Sequence, residues 1–341
     1  MNLIFLISFF QRRSHFLSRD ICIYQDFLSD AHRDKIQQTA QAAGFTAHFF
    51  TGDQFEEASA CLQHCEVLYA QSPQLLRTAP ATLKWFCCSS AGVDPYCKND
   101  GIFANPDCLL TNSAGAYGAT ISEHLIMTLL MLMRRMPAYL QGGARHEWTA
   151  PMEMRSIQGS PITCLGTGDI CTTFARKAKL LGAGPITGVN RSGRADPSVY
   201  DRVLPISRVD EVLPEAHVLV MALPGTPETA GVLSRERIAL LPEDALVLNV
   251  GRGTAVDQEA LMDALNSERI AGAALDVMVP EPLPQDHPLW QARNLVLTPH
   301  ISGNMSLGYT RDRAVEIFCE NLTRYAAGEP LHHLVDRSRG Y

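Results

Sequence analysis

The chain has 341 residues, enough for two α/β domains or one large unit, and its 29 Lys and Arg against 36 Asp and Glu give a net charge of −7. That balance provides no electrostatic draw toward nucleic acid or an anionic membrane, so neither is expected as a partner. With 46% apolar residues the chain is not disordered, and ten cysteines scattered through apolar segments read as reduced thiols of a cytoplasmic protein, not as a disulfide framework.

Residues 1–18 carry an apolar run, Leu3–Phe10, followed by Arg12 and Arg13. A secretory signal has its positive charge before the apolar stretch and a small-residue cleavage site after it, so this segment is expected to be a poorly ordered extension. From residue 19 β-like runs alternate with helical patterns: Ile21–Tyr24, an amphipathic stretch from Ser29 to Ala43, then Thr46–Phe50, Val67–Ala70, Lys84–Cys88 and Leu109–Thr111. Such alternation predicts a parallel sheet covered on both faces, in a flavodoxin-type arrangement. Cys61 and Cys65 flank His64, but no second cluster completes a zinc ligand set, and no metal is expected. An apolar helix is predicted from Ala119 to Met136; its core, Leu125–Met133, is too short to span a bilayer. A loop at Gln141–Ala144 leads into a second series, Ile162–Leu165, Ile186–Val189, Val218–Leu223, Ala245–Val250, Gly272–Val277 and Leu295–Thr298. Six strands with crossover helices make a dinucleotide-binding (Rossmann) sheet. Ser234 and Asp257 are N-cap candidates within it, Leu307–Tyr325 is a last amphipathic helix, and the chain beyond Pro330 reads as irregular.

The second series opens with a strand running into Gly166-Thr167-Gly168-Asp169-Ile170-Cys171, after which Phe174, Ala178 and Leu181 follow at helical spacing. A pyrophosphate must approach the N–H groups of a helix N-terminus closely; Gly166 permits the tight turn and Gly168 omits the Cβ that would block the phosphates. Cys171 stands where a third glycine is usual and is expected to cost some fit of helix on strand. The next strand ends Asn190-Arg191-Ser192, where a carboxylate would accept the ribose hydroxyls of NAD(H). Arginine and serine there offer charge-assisted hydrogen bonds to a 2′-phosphate, which favours NADP(H). The alternative is NAD(H) bound without the carboxylate, Arg191 and Arg194 being solvated cations.

Three later segments each put a charged residue just past a strand, at the edge where open α/β sheets bind ligands: Gly251-Arg252-Gly253, Glu281-Pro282 and Pro299-His300. Taken alone, a structural arginine is the lesser reading of the first, whereas the second is more often merely a turn and the third a structural or solvated histidine. Together they match what hydride transfer to a 2-oxo acid requires. Arg252 would hold the substrate carboxylate and polarise its carbonyl, His300 would deliver or remove the alcohol proton, and Glu281 would orient the imidazole.

With these segments, Ser90-Ala-Gly-Val-Asp94, Ser122-Glu123-His124, Leu223-Pro-Gly-Thr-Pro-Glu-Thr229, Pro288-Leu-Trp290 and Phe318-Cys-Glu-Asn-Leu-Thr-Arg-Tyr325 give a chain that, from about residue 19 to residue 335, resembles the D-isomer-specific 2-hydroxyacid dehydrogenases. The resemblance implies catalytic roles for Arg252, Glu281 and His300, and substrate-carboxylate binding by the backbone of Ala91, Gly92 and Val93. It puts Asp276 at the nicotinamide amide, and Pro224, Thr229 and Val250 along the cofactor. It implies a substrate domain of residues 19–112 plus 298–335, with a Rossmann domain, residues 113–297, inserted into it. The expected substrate is a small 2-oxo or 2-hydroxy acid, its side chain read near Tyr96 and Tyr117, and the expected assembly is a homodimer through the helix near 119–136. Three rival readings remain: a corepressor-like dinucleotide-binding regulator without turnover; a formate-dehydrogenase-like enzyme, for which His300 would not be needed as acid/base; and a protein whose dinucleotide site Cys171 inactivates, which Cys171→Gly would restore.

Overall fold

The computed structural model describes residues 19–97 and 101–341; the expectation for residues 1–18 lies outside them. The first sheet is formed by β1 (Arg19–Tyr24), β2 (Phe45–Phe50), β3 (Cys65–Ala70), β4 (Trp85–Cys88) and β5 (Leu109–Thr111), all parallel in the order β2-β1-β3-β4-β5. This is the doubly wound order in which ligands meet the carboxyl ends of the strands. Helices α1 (Asp30–Ala42), α2 (Phe55–Leu62), α3 (Pro73–Arg77) and α4 (Asp94–Cys97) connect these strands. Side chains alternate across the sheet: Cys22 and Leu68 face one apolar cluster, while Ile21, Ile23, Val67 and Tyr69 face the other.

α5 (Gly118–Met133) and α6 (Met136–Ala144) lead to the second sheet. The predicted single helix ending at Met136 is thus two. Arg135 enters the left-handed region at φ 57° and stops α5, and Pro137 in the first turn restarts the chain as α6, which absorbs the loop expected at Gln141–Ala144. Gly142 is helical and buried; a Cβ on it would lie 2.1 Å from Thr149 Oγ1.

The second sheet has seven strands, not the expected six: β6 (Ile162–Leu165), β7 (Ile186–Asn190), β8 (Arg202–Pro205), β9 (Val218–Met221), β10 (Leu246–Asn249), β11 (Gly272–Leu275) and β12 (Leu295–Leu297). Their order, β12-β11-β10-β9-β6-β7-β8, is all parallel and reverses direction beside β6. The unforeseen β8 is an edge strand beyond β7, and with it the sheet has the strand order of a complete Rossmann fold. α7 (Asp169–Leu180), α8 (Arg235–Ile238) and α9 (Gln258–Asn266) flank the sheet, and Ser234 and Asp257 cap the last two as expected, accepting from Arg237 N and Ala260 N.

α10 (Gly308–Ala327) returns to the first sheet, where Phe318 stacks on Tyr69 with ring centroids 4.2 Å apart. Beyond it Leu334 bridges Thr111 antiparallel at the edge of β5, so the tail is irregular but pinned. Among the described residues no helix is long and apolar enough to cross a membrane.

Candidate active site

A cavity of about 1260 Å³ opens where the two sheets face each other, and Arg252, Glu281 and His300 all line it, with Ala91, Gly92, Ile170 and Val250. Arg252 follows β10, Glu281 the loop after β11, and His300 the loop after β12.

The His300 loop is fixed from behind. Buried Asp276 accepts the Thr298 hydroxyl at 2.6 Å and the Ile301 N–H at 2.9 Å on one carboxylate oxygen, and the Ser302 N–H at 3.0 Å on the other. Its backbone carbonyl takes the His300 N–H at 2.9 Å, which holds His300 in the left-handed region at φ 53°. Thr298 also meets His124 of α5 at 3.2 Å, and burial lowers the pKa of that imidazole. The half-exposed His300 ring bonds through Nδ1 to Glu281 Oε2 at 2.7 Å, which leaves Nε2 toward the cavity. Glu281 is itself anchored, its Oε1 accepting the Met278 N–H at 2.9 Å.

Arg252 is held by a partner that sequence reasoning missed. Its Nε donates to Asp94 Oδ2 at 2.8 Å, Nη2 donates to the same oxygen, and Nη1 donates to the Gly251 carbonyl at 2.7 Å. A guanidinium has five N–H groups, so the end-on fork of Nη1 and Nη2 keeps two donors for a planar carboxylate. The guanidinium rests on the Ala91–Val93 turn; a Cβ on Gly92 would lie 1.9 Å from Nη2. Asp94 Oδ1 also accepts the Gly225 N–H at 3.1 Å, so one carboxylate ties the first sheet's loop to the Arg252 and Pro224 segments. Its only signal in the sequence was membership of the Ser90–Asp94 motif. Tyr117 lines the cavity and donates to the Ser89 carbonyl at 2.6 Å, whereas Tyr96 is buried edge-on to Phe86, with ring centroids 4.9 Å apart, and lines a separate hollow.

The glycine turn fits a dinucleotide. Gly166 adopts φ 98°, and a Cβ there would meet the Ala222 carbonyl oxygen at 2.8 Å. No atom lies within 4 Å of the Cβ position of Gly168, and no side chain caps the α7 N-terminus that begins there. The space and the donors that a pyrophosphate needs are therefore both present. Asp169 turns its carboxylate onto Gly118 at the start of α5. Cys171 is buried in the cluster that packs α7 on the sheet and on α5, beside Cys164.

Asn190 ends β7 as a clasp: its amide donates to Thr167 Oγ1 at 2.6 Å and to the Arg194 carbonyl at 2.7 Å, and its Oδ1 accepts from Ser192 and the Gly193 N–H. Arg191 is exposed and donates to the Tyr341 hydroxyl. Across the cleft the Thr229 hydroxyl bonds the Pro224 carbonyl at 2.6 Å and shapes the facing turn. Cys61 and Cys65 lie away from this site with their thiols 3.7 Å apart; among the described residues no group of three metal-ligating side chains converges.

Comparison with known proteins identifies the family. Residues 126–302 match the family model described as D-isomer specific 2-hydroxyacid dehydrogenase, NAD binding domain. A glyoxylate/hydroxypyruvate reductase A of Klebsiella pneumoniae (strain 342) is 33% identical over 225 residues, 66% of this chain and 70% of that protein. A D-isomer specific 2-hydroxyacid dehydrogenase family protein of Aeromonas salmonicida superposes with a TM-score of 0.78 at 30% identity, covering 94% of this chain and 99% of that one. A D-isomer specific 2-hydroxyacid dehydrogenase of Xanthobacter autotrophicus Py2, solved with NADPH and MES, does so at 0.77 and 27% identity, covering 95% and 100%.

Proposed function

The chain belongs to the D-isomer specific 2-hydroxyacid dehydrogenase family, and we propose that it uses NADP(H) to interconvert a small 2-oxo acid and the D-2-hydroxy acid. The observation that carries this reading is the meeting of Arg252, Glu281 and His300, remote in sequence, on one cavity beside the glycine turn.

The cofactor, when bound, supplies the hydride that reduces C2 of the oxo acid. Arg252 presents its free fork to the substrate carboxylate, and its charge stabilises the negative charge that builds on the carbonyl oxygen. The Ala91–Val93 backbone beneath the guanidinium forms the other wall of that cradle. His300 donates a proton from Nε2 to the forming alkoxide and ends neutral; Glu281 holds the ring by Nδ1 and balances the imidazolium charge before transfer. Asp94 keeps the Arg252 fork aimed.

Along the cofactor, Gly166, Thr167, Gly168, Asp169 and Ile170 would receive the pyrophosphate on backbone N–H groups. Pro224, Thr229 and Val250 would wall the cleft, and Asp276 would reach the nicotinamide amide while steadying the His300 loop. Arg191 and Ser192, on the turn clasped by Asn190, would take the 2′-phosphate. NADPH in the Xanthobacter protein supports this choice over NAD(H), and the name of the Klebsiella relative points to hydroxypyruvate and glyoxylate as first substrates to try.

On this reading residues 19–112 with 298–335 bind substrate and 113–297 bind cofactor, an assignment supported by the packing of α10 on the first sheet. A homodimer is supported by the apolar surface of α5, α6 and the following loop, where Leu140 is 56% and Trp148 fully exposed. Ten free cysteines support the cytoplasm as its compartment.

The test is oxidation of NADPH and NADH by wild type and Arg191→Asp across a panel of 2-oxo acids, with chiral analysis of the product. We expect NADPH to be preferred, the product to be the D isomer, and the substitution to lower kcat/KM with NADPH about 100-fold. A panel on which no oxo acid oxidises either cofactor overturns the enzymatic reading; an unchanged preference in the variant overturns the role of Arg191.

A further inference from the structure

The segment after α10 begins in the first sheet's core, where Val335 is buried, and its last residues cross the mouth of the active site. Val335 N donates to the Leu110 carbonyl at 2.8 Å, anchoring the segment to the first sheet. Arg337 lies over the Phe103 ring at 4.5 Å and donates to the Pro106 carbonyl. The chain then closes a compact loop around Asp336, which accepts from Ser338 N at 3.0 Å and pairs with Arg339 at 3.1 Å, while Asp336 N donates to the Tyr341 carbonyl at 3.1 Å. Arg337, Ser338, Arg339 and Gly340 line the same cavity as Arg252 and His300. Gly340, at φ 83°, sits against Thr226 of the cofactor-facing turn, 3.5 Å from its methyl group to the Cβ position. At the far end the Tyr341 hydroxyl accepts from Arg191 Nη1, and the Arg191 guanidinium carbon is 5.3 Å from the centre of the Tyr341 ring.

We propose that Tyr341 is a positioning residue for cofactor selection: its hydroxyl and ring hold the Arg191 guanidinium ready for the 2′-phosphate of NADP(H), and residues 336–341 strap that end of the cleft to the first sheet. The inference rests on the NADP(H) reading above. An arginine on an exposed turn has many rotamers, and freezing them when the phosphate arrives weakens binding; a guanidinium already fixed avoids that loss. Tyr341 occupies a single N–H of Nη1, and among the described residues the guanidinium donates to no other group, so its remaining donors can meet phosphate oxygens and the hydroxyl keeps its own proton to donate to the same group. NAD(H), which lacks the phosphate, gains nothing from the arrangement.

The experiment is fluorescence titration of the full-length protein with NADPH and with NADH, using wild type, Tyr341→Phe, Arg191→Asp and the double variant. Tyr341→Phe removes one exposed oxygen and leaves the packing intact. We expect its Kd for NADPH to rise about 3- to 10-fold, its Kd for NADH to stay within about twofold, and no further loss when it is added to Arg191→Asp. Equal weakening for both cofactors makes Tyr341 merely structural and overturns the proposal. No change, or tighter NADPH binding because the hydroxyl competes with the phosphate, overturns it as well. A wild type that binds NADH as tightly as NADPH removes the NADP(H) reading and this inference with it. A wild-type preference for NADPH that survives Tyr341→Phe unchanged strikes the inference alone.

Discussion

At Gly92 a hydrogen in place of a methyl group decides where a cation sits. The Arg252 guanidinium lies on its α-carbon, and the only atom a Cβ would displace strongly is Nη2, the far end of a flexible side chain. Gly92→Ala is therefore expected to fold normally but to push the fork out of line with its Asp94 anchor. The expected outcome is a loss of about 10- to 100-fold in kcat/KM for the oxo acid, with NADPH affinity unchanged. Steady-state kinetics beside a cofactor titration separates these. An unaltered kcat/KM would mean that the fork is not where the substrate binds.

At the scale of elements, α7 carries the departure from the glycine pattern. Cys171 is fully packed among Phe174, Ala175 and Cys164, so its thiol fills space that a glycine would leave empty. Cys171→Gly should destabilise the protein by about 1–2 kcal/mol, from helix propensity and the lost contacts, without tightening NADPH binding. Chemical denaturation and titration of the same variant check both halves. Much of this architecture could be read directly from the chain. The central strands β4, β6, β9, β10 and β11 are buried on two faces and so appear as nearly unbroken apolar runs, while Ser234 and Asp257 announce their helices chemically. What escaped lacks such marks. β8 is an edge strand whose Arg202 is exposed and whose last residue is a proline, so it has neither alternation nor an apolar run. α6 contains two adjacent glycines that imitate a loop, although Gly142 is glycine because Thr149 crosses close above it. Asp94 and the 336–341 segment have roles only through partners brought near by folding, and no local periodicity encodes that.

For the whole molecule, Glu66 of β3 joins three pieces of chain. It accepts from Arg19 of β1 at 2.9 Å and from the Tyr325 hydroxyl of α10 at 2.7 Å, and Lys84 lies 3.6 Å away. The Arg19 hydrogen bond, followed by that of Tyr325, draws its carboxyl down to about 2. A depressed carboxyl stabilises the fold fully above its unfolded value, near 4.5, and that contribution fades as the pH falls toward about 2. Glu66→Gln should therefore cost about 2 kcal/mol at neutral pH, and the gap from wild type should close at the acid end of a denaturation series. A gap independent of pH would rule out the charge as its source. Assembly offers a separate test. If the proposed homodimer forms through α5 and α6, wild type should sediment as a dimer and Leu140→Glu on the exposed face of α6 as a monomer, whereas a monomeric wild type or a variant that stays dimeric overturns that interface.

Phe318 has a further consequence, in time and not in space. It closes over Tyr69 and Trp85, yet it is made some 230 residues after the second of them. A nascent chain leaving the ribosome must therefore carry the apolar face around Tyr69 and Trp85 without α10, shielded only in part by Ile36 and Ala40 of α1, while the whole second sheet is synthesised. The polypeptide that begins first finishes folding last, and chaperones have that interval in which to act. Stalled chains ending before residue 308 should bind a hydrophobic dye that released full-length protein does not.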